Sequence, residues 1–205
     1  MAATDVGAHQ RVVAVGASAG GVGALIRLAA GLPRDLGYAV MVVLHRPTKA
    51  PPSQLARILD RAGPLPAVRA AHGDLIETGV IYVAVPNRHL LVSDRRVVLS
   101  DEPSEDAHRP AINPLFRSVA LAYRERAVGV LMSGVLDDGV VGLAAIRARG
   151  GIAIIQTPRD AQFPDLPRHA LTAGVVDYQV AASDVGALLR QLAARAADPT
   201  DGCAR

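Results

Sequence analysis

Three kinds of residue that could together perform nucleophilic chemistry follow apolar runs in this chain: Ser18, His45, and the neighbours Asp137 and Asp138. A serine hydroxyl is almost fully protonated at neutral pH, so it attacks a carbonyl only when a base removes its proton. An imidazole can be that base, and a carboxylate can hold the imidazole in the required tautomer. The set therefore indicates a serine hydrolase, provided that the fold brings its members together.

Ser18 lies where a short apolar run breaks into small residues and then becomes periodic. Residues 12–15 are predicted to form a buried strand, and a helix is predicted to follow the break. The apolar residues with the spacing of one helical face are Val22, Leu25, Ile26 and Ala29. Ser18 should thus lie in a tight turn near helix N-terminal amides, which can stabilise a forming oxyanion. The string Gly16-x-Ser18-x-Gly20 also fits the nucleophile-elbow pattern.

The other two candidates also follow predicted strands. Residues 38–44 are continuously apolar, as in a parallel strand covered on both faces, and His45 comes directly after them. Residues 127–132 form another such run, and the polar turn after it contains both aspartates. Sites in open α/β sheets lie beyond the carboxyl ends of the strands, so all three side chains should face one crevice if these strands are neighbours.

The remaining pattern predicts an α/β fold: a doubly wound, mostly parallel sheet with helices on both faces and a small antiparallel hairpin. Short strand candidates for the antiparallel part lie within residues 80–100. Asn113 and Pro114 are predicted to start a helix, as cap and first helical residue, with Leu115, Val119 and Ala122 on one face. The other predicted helices span residues 52–62, with Ser53 as a possible cap, 140–149 and 188–196, and the other strands span 152–156 and 175–178.

Composition limits the classes of function. With 205 residues and 50% hydrophobic content, we expect one domain over residues 11–197, between a flexible N-terminus (1–10) and a flexible tail (198–205). The net charge is +3 and only 3% of residues are aromatic, which disfavours nucleic-acid binding. A single cysteine, Cys203, no apolar run of about 20 residues and no signal pattern favour a cytoplasmic protein without membrane insertion.

Other uses of these residues are less well supported. The glycine-rich turn lacks the Lys-Ser/Thr of a phosphate loop and is not Gly-x-Gly-x-x-Gly. No recognised metal-ligand spacing joins the histidines and acids, namely His45, His72, His89, His108 and Asp138. We therefore expect neither a cofactor nor a metal.

Each candidate taken alone also has a plainer explanation. Ser18 or either aspartate could merely cap a helix, and His45 could be a surface histidine. Their occurrence at one predicted sheet edge favours catalysis. The chain order Ser, His, Asp differs from the Ser, Asp/Glu, His order of ordinary α/β-hydrolases.

Ordered sequence blocks over about residues 11–195 carry a family resemblance. They are Val-Gly-Ala-Ser18-Ala-Gly-Gly, Val-Leu-His45-Arg-Pro, Tyr82-Val-Ala-Val-Pro-Asn-Arg-His89-Leu, His108-Arg-Pro-Ala-Ile-Asn-Pro-Leu-Phe-Arg-Ser, Ser133-Gly-Val-Leu-Asp-Asp138-Gly and Asp165-Leu-Pro-Arg-His-Ala. The chain resembles the catalytic domain of CheB-type protein-glutamate methylesterases, chemotaxis enzymes that remove methyl groups from receptor glutamates.

The resemblance implies a role for each candidate. Ser18 would be the nucleophile, His45 the general base and then acid, and Asp138 the orienting carboxylate. It also implies oxyanion donors in the backbone at Ala19 and Val135, and secondary site residues at His89 and Arg168. The expected substrate is a methylated chemoreceptor or a related methylated signalling protein. Deamidation of certain glutamines would use the same acyl-enzyme, with ammonia leaving instead of methanol.

Three departures from the family pattern leave alternatives open. Ala19 replaces a usual threonine, and Val135 and Leu136 stand where the turn usually has Met and Gly. About ten residues precede the first strand, where the family usually has a receiver domain, so a separate receiver-type regulator is expected. Because the changed positions adjoin the oxyanion site, one alternative is a weakly active or inactive CheB-like signalling or scaffold module that binds a partner. A small-molecule esterase is a further alternative.

Overall fold

A seven-stranded parallel sheet forms the centre of the protein, whose computed structural model describes residues 10–45 and 54–197. The strands are β1 (Arg11–Ala17), β2 (Tyr38–Leu44), β3 (Ala67–Arg69), β4 (Ile81–Val83), β5 (His89–Ser93), β6 (Arg96–Ser100), β7 (Ala127–Leu131), β8 (Ile152–Gln156) and β9 (Tyr178–Val180). The helices are α1 (Gly21–Gly31), α2 (Leu55–Ala62), α3 (Ile112–Tyr123), α4 (Val140–Ala148), α5 (Asp165–Thr172) and α6 (Val185–Ala197).

The strand order is β3-β4-β2-β1-β7-β8-β9, and every neighbouring pair in this sheet is parallel. The chain builds from β1 outward in one direction and then returns to add β7 on the other side of β1. This reversal places a topological switch point between β1 and β7, where open α/β sheets form their binding crevices. Strands β5 and β6 form a separate antiparallel hairpin. The predicted fold class is therefore confirmed.

Both faces of the sheet are covered by helices, which explains the continuous apolar runs of the central strands. Alternate residues of β1 point to opposite faces, so that Val13 and Val15 lie in one core and Val12 and Ala14 in the other. Residues of α1, α2 and α6 complete the first core. Helices α3, α4 and α5 and the β5–β6 hairpin complete the second.

Three predicted helix faces are partly wrong. Helix α1 buries Ala24, Leu25, Leu28 and Ala29, whereas Val22 and Ile26 are exposed. The buried face is rotated relative to the predicted one, because Ala24 and Leu28 pack into the core where Val22 and Ile26 were expected. Ile58 of α2 and Ala122 of α3 are also exposed, although we expected both on buried faces.

The predicted start of α3 is also wrong. The cap position is Ala111, so Asn113 and Pro114 lie inside the first turn. Asn113 instead accepts hydrogen bonds from the backbone amides of Gly139 and Gly142, at the start of α4. An asparagine that the sequence pattern assigns to the start of its own helix can therefore cap a different helix that packs against it.

Several strand predictions shift in the structure. Residues 81–83 join the main parallel sheet as β4, and β5 and β6 form the antiparallel hairpin. The last strand lies three residues later than predicted, and the sequence patterns missed β3 and α5, which are short. The tails at 1–9 and 198–205, with Cys203, and the proposed cap Ser53 lie outside the described residues. Among the residues that are described, no helix has the length and apolarity needed to cross a bilayer.

The contact between α3 and α4 leads to a stability prediction. A Cβ atom at Gly142 would lie 2.6 Å from the Cβ of Phe116 and 3.2 Å from the Cα of Asn113, so Gly142→Ala must push the helices apart. We expect a loss of about 1–3 kcal/mol in the free energy of unfolding, measured with urea.

Gly23→Ala in α1 is the matched control, because its Cβ would meet only Arg27 Nη1 at 3.9 Å. It should leave stability unchanged or raise it by up to about 1 kcal/mol. Equal effects of the two substitutions would contradict this description of the α3–α4 contact.

Candidate active site

The carboxyl ends of three adjacent strands bring the candidate residues to one edge of the sheet. Ser18 follows β1, His45 follows β2, and the turn carrying Asp138 follows β7. The backbone pairing continues past the strands, with His45 N donating to Ala17 O and Met132 N donating to Gly16 O, each at 2.9 Å. The three segments are thus held in register up to the crevice.

A buried hydrogen bond joins His45 to Asp138. The distance between His45 Nε2 and Asp138 Oδ2 is 2.6 Å, and the two side chains are only 5% and 3% exposed. Asp137 is exposed, and its backbone oxygen accepts a hydrogen bond from Val140 N in the turn. The structure therefore pairs the imidazole with Asp138, which answers a question that the two adjacent aspartates leave open in the sequence.

Helix α3 holds the carboxylate of Asp138 through its first amides. Ile112 N donates to Asp138 Oδ2 at 2.7 Å, and Asn113 N donates to Asp138 Oδ1 at 2.9 Å. Burial raises the pKa of Asp138, but the hydrogen bonds from His45, Ile112 and Asn113 outweigh burial and hold that pKa below its ordinary value. Asp138 is therefore an anion at neutral pH, fixed at the positive end of a helix.

A second imidazole lies flat against His45. The ring centroids of His45 and His108 are 3.7 Å apart and the planes differ by 6°. Burial lowers the pKa of His108, and the neighbouring His45 lowers it further, so the stacked ring is neutral at neutral pH. His108 thereby covers one face of His45 and restricts rotation of its ring.

The donor atoms of His45, His108 and Asp138 lie within 4.8 Å of one another, which raises the question of a metal. Imidazole nitrogens bind metals through lone pairs in the ring plane, and the lone pairs of two parallel rings do not converge. His45 Nε2 and Asp138 Oδ2 are also joined directly at 2.6 Å, a distance that leaves no space for an ion between them. The arrangement therefore fits a hydrogen-bonded base better than a metal centre.

Ser18 is held in the turn by its backbone. Its amide donates to Ser133 O and its carbonyl accepts from Gly21 N, both at 2.9 Å. The turn after β7 passes beside it, since a Cβ atom at Gly134 would lie 2.9 Å from Ser18 Cβ. Within residues 10–45 and 54–197, no hydrogen bond joins the Ser18 hydroxyl to His45. Nucleophile–base contacts of this kind often form only with substrate bound.

Two backbone amides near Ser18 are available to a ligand. In the described parts of the chain, the amides of Ala19 and Val135 donate to no protein acceptor. Ala19 directly follows Ser18, and Val135 directly follows Gly134, whose backbone lies against Ser18. Two free amides beside a serine could stabilise an oxyanion if that serine acts as a nucleophile.

Ser133 and Gln156 connect the two turns and were not singled out by the sequence. Buried Ser133 donates its hydroxyl to Ala19 O at 2.8 Å and accepts from Phe163 N at 3.0 Å. Its amide donates to the side-chain oxygen of buried Gln156 at 2.9 Å. A polar residue that ends an otherwise apolar strand, as Gln156 ends β8, is the signal that could have identified this contact.

In the described chain, the secondary site candidates form no hydrogen bond or ion pair with Ser18, His45 or Asp138. His89 is buried; its Nδ1 accepts from Ala111 N at 3.3 Å, and its Nε2 donates to Pro103 O at 3.0 Å. His89 therefore supports the start of α3. Arg168 is exposed on α5 and pairs with Asp165 at 3.6 Å.

The turn between β7 and α4 contains an unusual backbone conformation. Leu136 has φ of 64°, in the left-handed region that costs a residue with a Cβ about 1–2 kcal/mol. The beginning of this turn is fixed by Gly134, whose amide donates to Phe163 O at 2.9 Å and whose carbonyl accepts from Leu166 N at 3.0 Å. The departure from the family pattern at Leu136 therefore puts local strain beside Asp138.

Comparisons with known proteins show what the chain is similar to. The sequence model of the family described as CheB methylesterase matches residues 13–189. A protein-glutamate methylesterase/protein-glutamine glutaminase of Anaeromyxobacter dehalogenans is 44% identical over 173 residues, covering 83% of this chain and 50% of that protein. A putative enzyme of the same name from Leptospira interrogans is 31% identical and covers 90% of this chain and 95% of its own.

A solved structure has the same fold. The crystal structure of the Thermotoga maritima CheB methylesterase catalytic domain superposes with a TM-score of 0.83 at 25% identity, over 89% of this chain and 98% of that one. The chain thus spans about half the length of the Anaeromyxobacter relative but nearly all of this catalytic domain.

The contacts of Asp138 predict a pH-dependent effect of Asp138→Asn. An amide has one oxygen, so its NH₂ group must face the amide of either Ile112 or Asn113, and we expect a loss of about 1–3 kcal/mol in unfolding free energy at pH 7. Because the folded pKa of Asp138 is lowered, its contribution is present above about pH 4 and is lost as pH falls through the folded value. The gap between wild type and variant should therefore narrow in acid.

Urea unfolding at a series of pH values measures this gap. Asp137→Asn is the matched control, since Asp137 is exposed, and it should leave the stability unchanged at every pH. A gap for Asp138→Asn that stays constant down to pH 3 would contradict the lowered pKa.

Proposed function

The chain belongs to the CheB methylesterase family, and we propose that it hydrolyses glutamate methyl esters through an acyl-serine intermediate on Ser18. The observation that carries the proposal is the buried His45–Asp138 pair at the sheet edge that also bears Ser18. The His45–Asp138 pair also argues against the alternative of an inactive binding module, because binding a partner does not require a buried carboxylate–imidazole contact.

His45 would act through its Nδ1 atom. The carboxylate of Asp138 can only accept, so the hydrogen shared at 2.6 Å belongs to His45 Nε2. A neutral imidazole with a hydrogen on Nε2 has its lone pair on Nδ1, which can take the proton of Ser18. Asp138 then stabilises the imidazolium that forms, and the stacked ring of His108 keeps the imidazole oriented.

The reaction would proceed in two halves. Ser18 Oγ attacks the ester carbonyl as His45 takes its proton, and the amides of Ala19 and Val135 stabilise the oxyanion. The imidazolium returns the proton to the leaving oxygen, so that methanol departs and the glutamyl-serine ester remains. Water, activated by the same imidazole, then hydrolyses that ester to glutamate and regenerates Ser18.

The same residues could deamidate glutamine. The acyl-serine from a glutamine side chain is identical to that from a glutamate methyl ester, and only the leaving group differs. An amine leaves less readily than an alkoxide and needs its proton earlier, which a fixed imidazolium supplies. We therefore include protein-glutamine glutaminase activity in the proposal.

We propose that the substrate is a methylated chemoreceptor or a related methylated signalling protein, docked through a helical segment. A methyl ester offers little surface for recognition, so specificity must come from the surrounding chain. Exposed apolar side chains lie on the segments that follow the strand ends or precede α5: Val22 and Ile26 on α1, Val135 and Leu136 in the turn after β7, Val141 on α4 and Phe163 before α5. Exposed apolar groups of this number near a site are typical of protein docking surfaces.

We further expect the enzyme to act in the cytoplasm, with a separate receiver-type protein regulating it. The single cysteine supports the compartment, because it leaves no internal disulfide to maintain. The regulator is supported by family resemblance alone. Adding a phosphorylated and an unphosphorylated receiver protein to the assay below would test it, and equal rates with both would contradict regulation of this kind.

Methanol release from a methylated receptor tests the proposed activity. Ser18→Ala should lower the rate at least about 10³-fold, because a triad that acts as a unit loses nearly all its effect with one member. His45→Ala should cause a similar loss. Ser93→Ala is the matched control, since Ser93 lies exposed on the β5–β6 hairpin. An unchanged rate in Ser18→Ala would contradict the mechanism, and labelling of Ser18 by a serine-reactive phosphonate separates an enzyme from a binding module.

A further inference from the structure

We propose that His169 is a positioning residue that latches the turn from Gly134 to Asp138 in its active conformation. His169 Nδ1 lies 2.6 Å from Leu136 O. A carbonyl oxygen can only accept, so Nδ1 carries the hydrogen and His169 is the donor. The inference rests on the proposed function, since this turn matters only if it carries the oxyanion donor Val135 and the carboxylate Asp138.

Helix α5 lies along the turn and holds it at two places. Leu166, in the first turn of α5, donates its amide to Gly134 O at 3.0 Å, and its buried side chain packs against Gly134. His169 is three residues further along, which places it on the same side of the helix as Leu166. Its side chain reaches the next part of the turn, at Leu136.

The tip of the turn depends on this one side chain. In residues 10–45 and 54–197, the hydrogen bonds of positions 135–137 are the His169 contact to Leu136 O and the local contact from Val140 N to Asp137 O. Leu136 has φ of 64°, a conformation that a leucine leaves when nothing holds it. Val135 directly precedes Leu136, whereas Asp138 is held by the amides of α3, so relaxation of Leu136 moves Val135.

The hydrogen bond between His169 and Leu136 should affect the rate of the reaction more than the stability of the fold. His169 and Leu136 are both exposed, so the hydrogen bond adds little to the core. A displaced turn misplaces the amide of Val135, and catalysis is sensitive to displacements of about 1 Å. Loss of the latch should therefore slow acylation and leave the fold intact.

Two nearly isosteric substitutions test the donor. The amide nitrogen of His169→Asn can occupy the place of Nδ1 and donate to Leu136 O, whereas His169→Asp has the same shape but can only accept. We expect His169→Asp to slow phosphonate labelling of Ser18 about fivefold, the factor for one hydrogen bond of ordinary net strength. His169→Asn should stay within about twofold of wild type.

Amide hydrogen exchange provides a readout that does not require activity. The amides of Gly139 and Val140 are bonded to Asn113 Oδ1 and Asp137 O, so their exchange reports the order of the turn. His169→Asp should speed their exchange about fivefold, with the melting temperature unchanged, and His169→Asn should not. His72→Ala is the control, because His72 is an exposed histidine bonded to the backbone at Leu99 N, away from this turn.

The outcomes are distinguishable. If amide exchange of Gly139 and Val140 is unchanged in His169→Asp, or is equal in His169→Asn and His169→Asp, the His169 hydrogen bond does not hold the turn. Faster exchange in His169→Asp with unchanged labelling overturns its positioning role. Failure of Ser18 to label in the wild-type protein contradicts the proposed function, while the exchange data still decide whether the latch exists.

Discussion

The site depends on the anchoring of one buried carboxylate. Asp138 accepts hydrogen bonds from two amides at the start of α3 and from His45, so a helix, a strand end and a turn meet at its two oxygens. Asn113 extends this contact to the start of α4 through Gly139 and Gly142. A buried charge is stable only when it is fully hydrogen-bonded, which makes the packing of α3 against α4 a condition for the chemistry.

Parallel topology supplies the rest of the arrangement. Because β2, β1 and β7 are neighbours, the residues after their carboxyl ends are adjacent whatever their separation in the chain. The buried hydroxyl of Ser133 then joins the turn at Ala19 to the loop at Phe163, and α5 holds the turn at Gly134. The amides of Ala19 and Val135 are therefore positioned by several elements, and within residues 10–45 and 54–197 no hydrogen bond holds the Ser18 hydroxyl.

Much of the fold and of the site could be predicted from the sequence, because the patterns that indicate them lie within short segments of the chain. Continuous apolar runs identified β1, β2, β7 and β8, and the polar residues after them identified Ser18, His45 and the aspartate pair. The features that could not be predicted depend on contacts between separate helices, strands and turns. Asn113 caps α4 and not its own helix, and the stacking of His108 on His45 joins residues 63 positions apart. The choice between Asp137 and Asp138 follows from which carboxylate meets the amides of α3, and no periodicity encodes that.

The central claim is that Ser18 forms a covalent acyl intermediate. The most direct measurement is rapid acid quenching during turnover of a methylated receptor peptide, followed by mass spectrometry of the protein. We predict a glutamyl ester of the peptide on Ser18 that accumulates before methanol release reaches its steady rate and is absent in Ser18→Ala. Steady methanol release with no adduct at any quench time, or an adduct on another residue, would contradict the account.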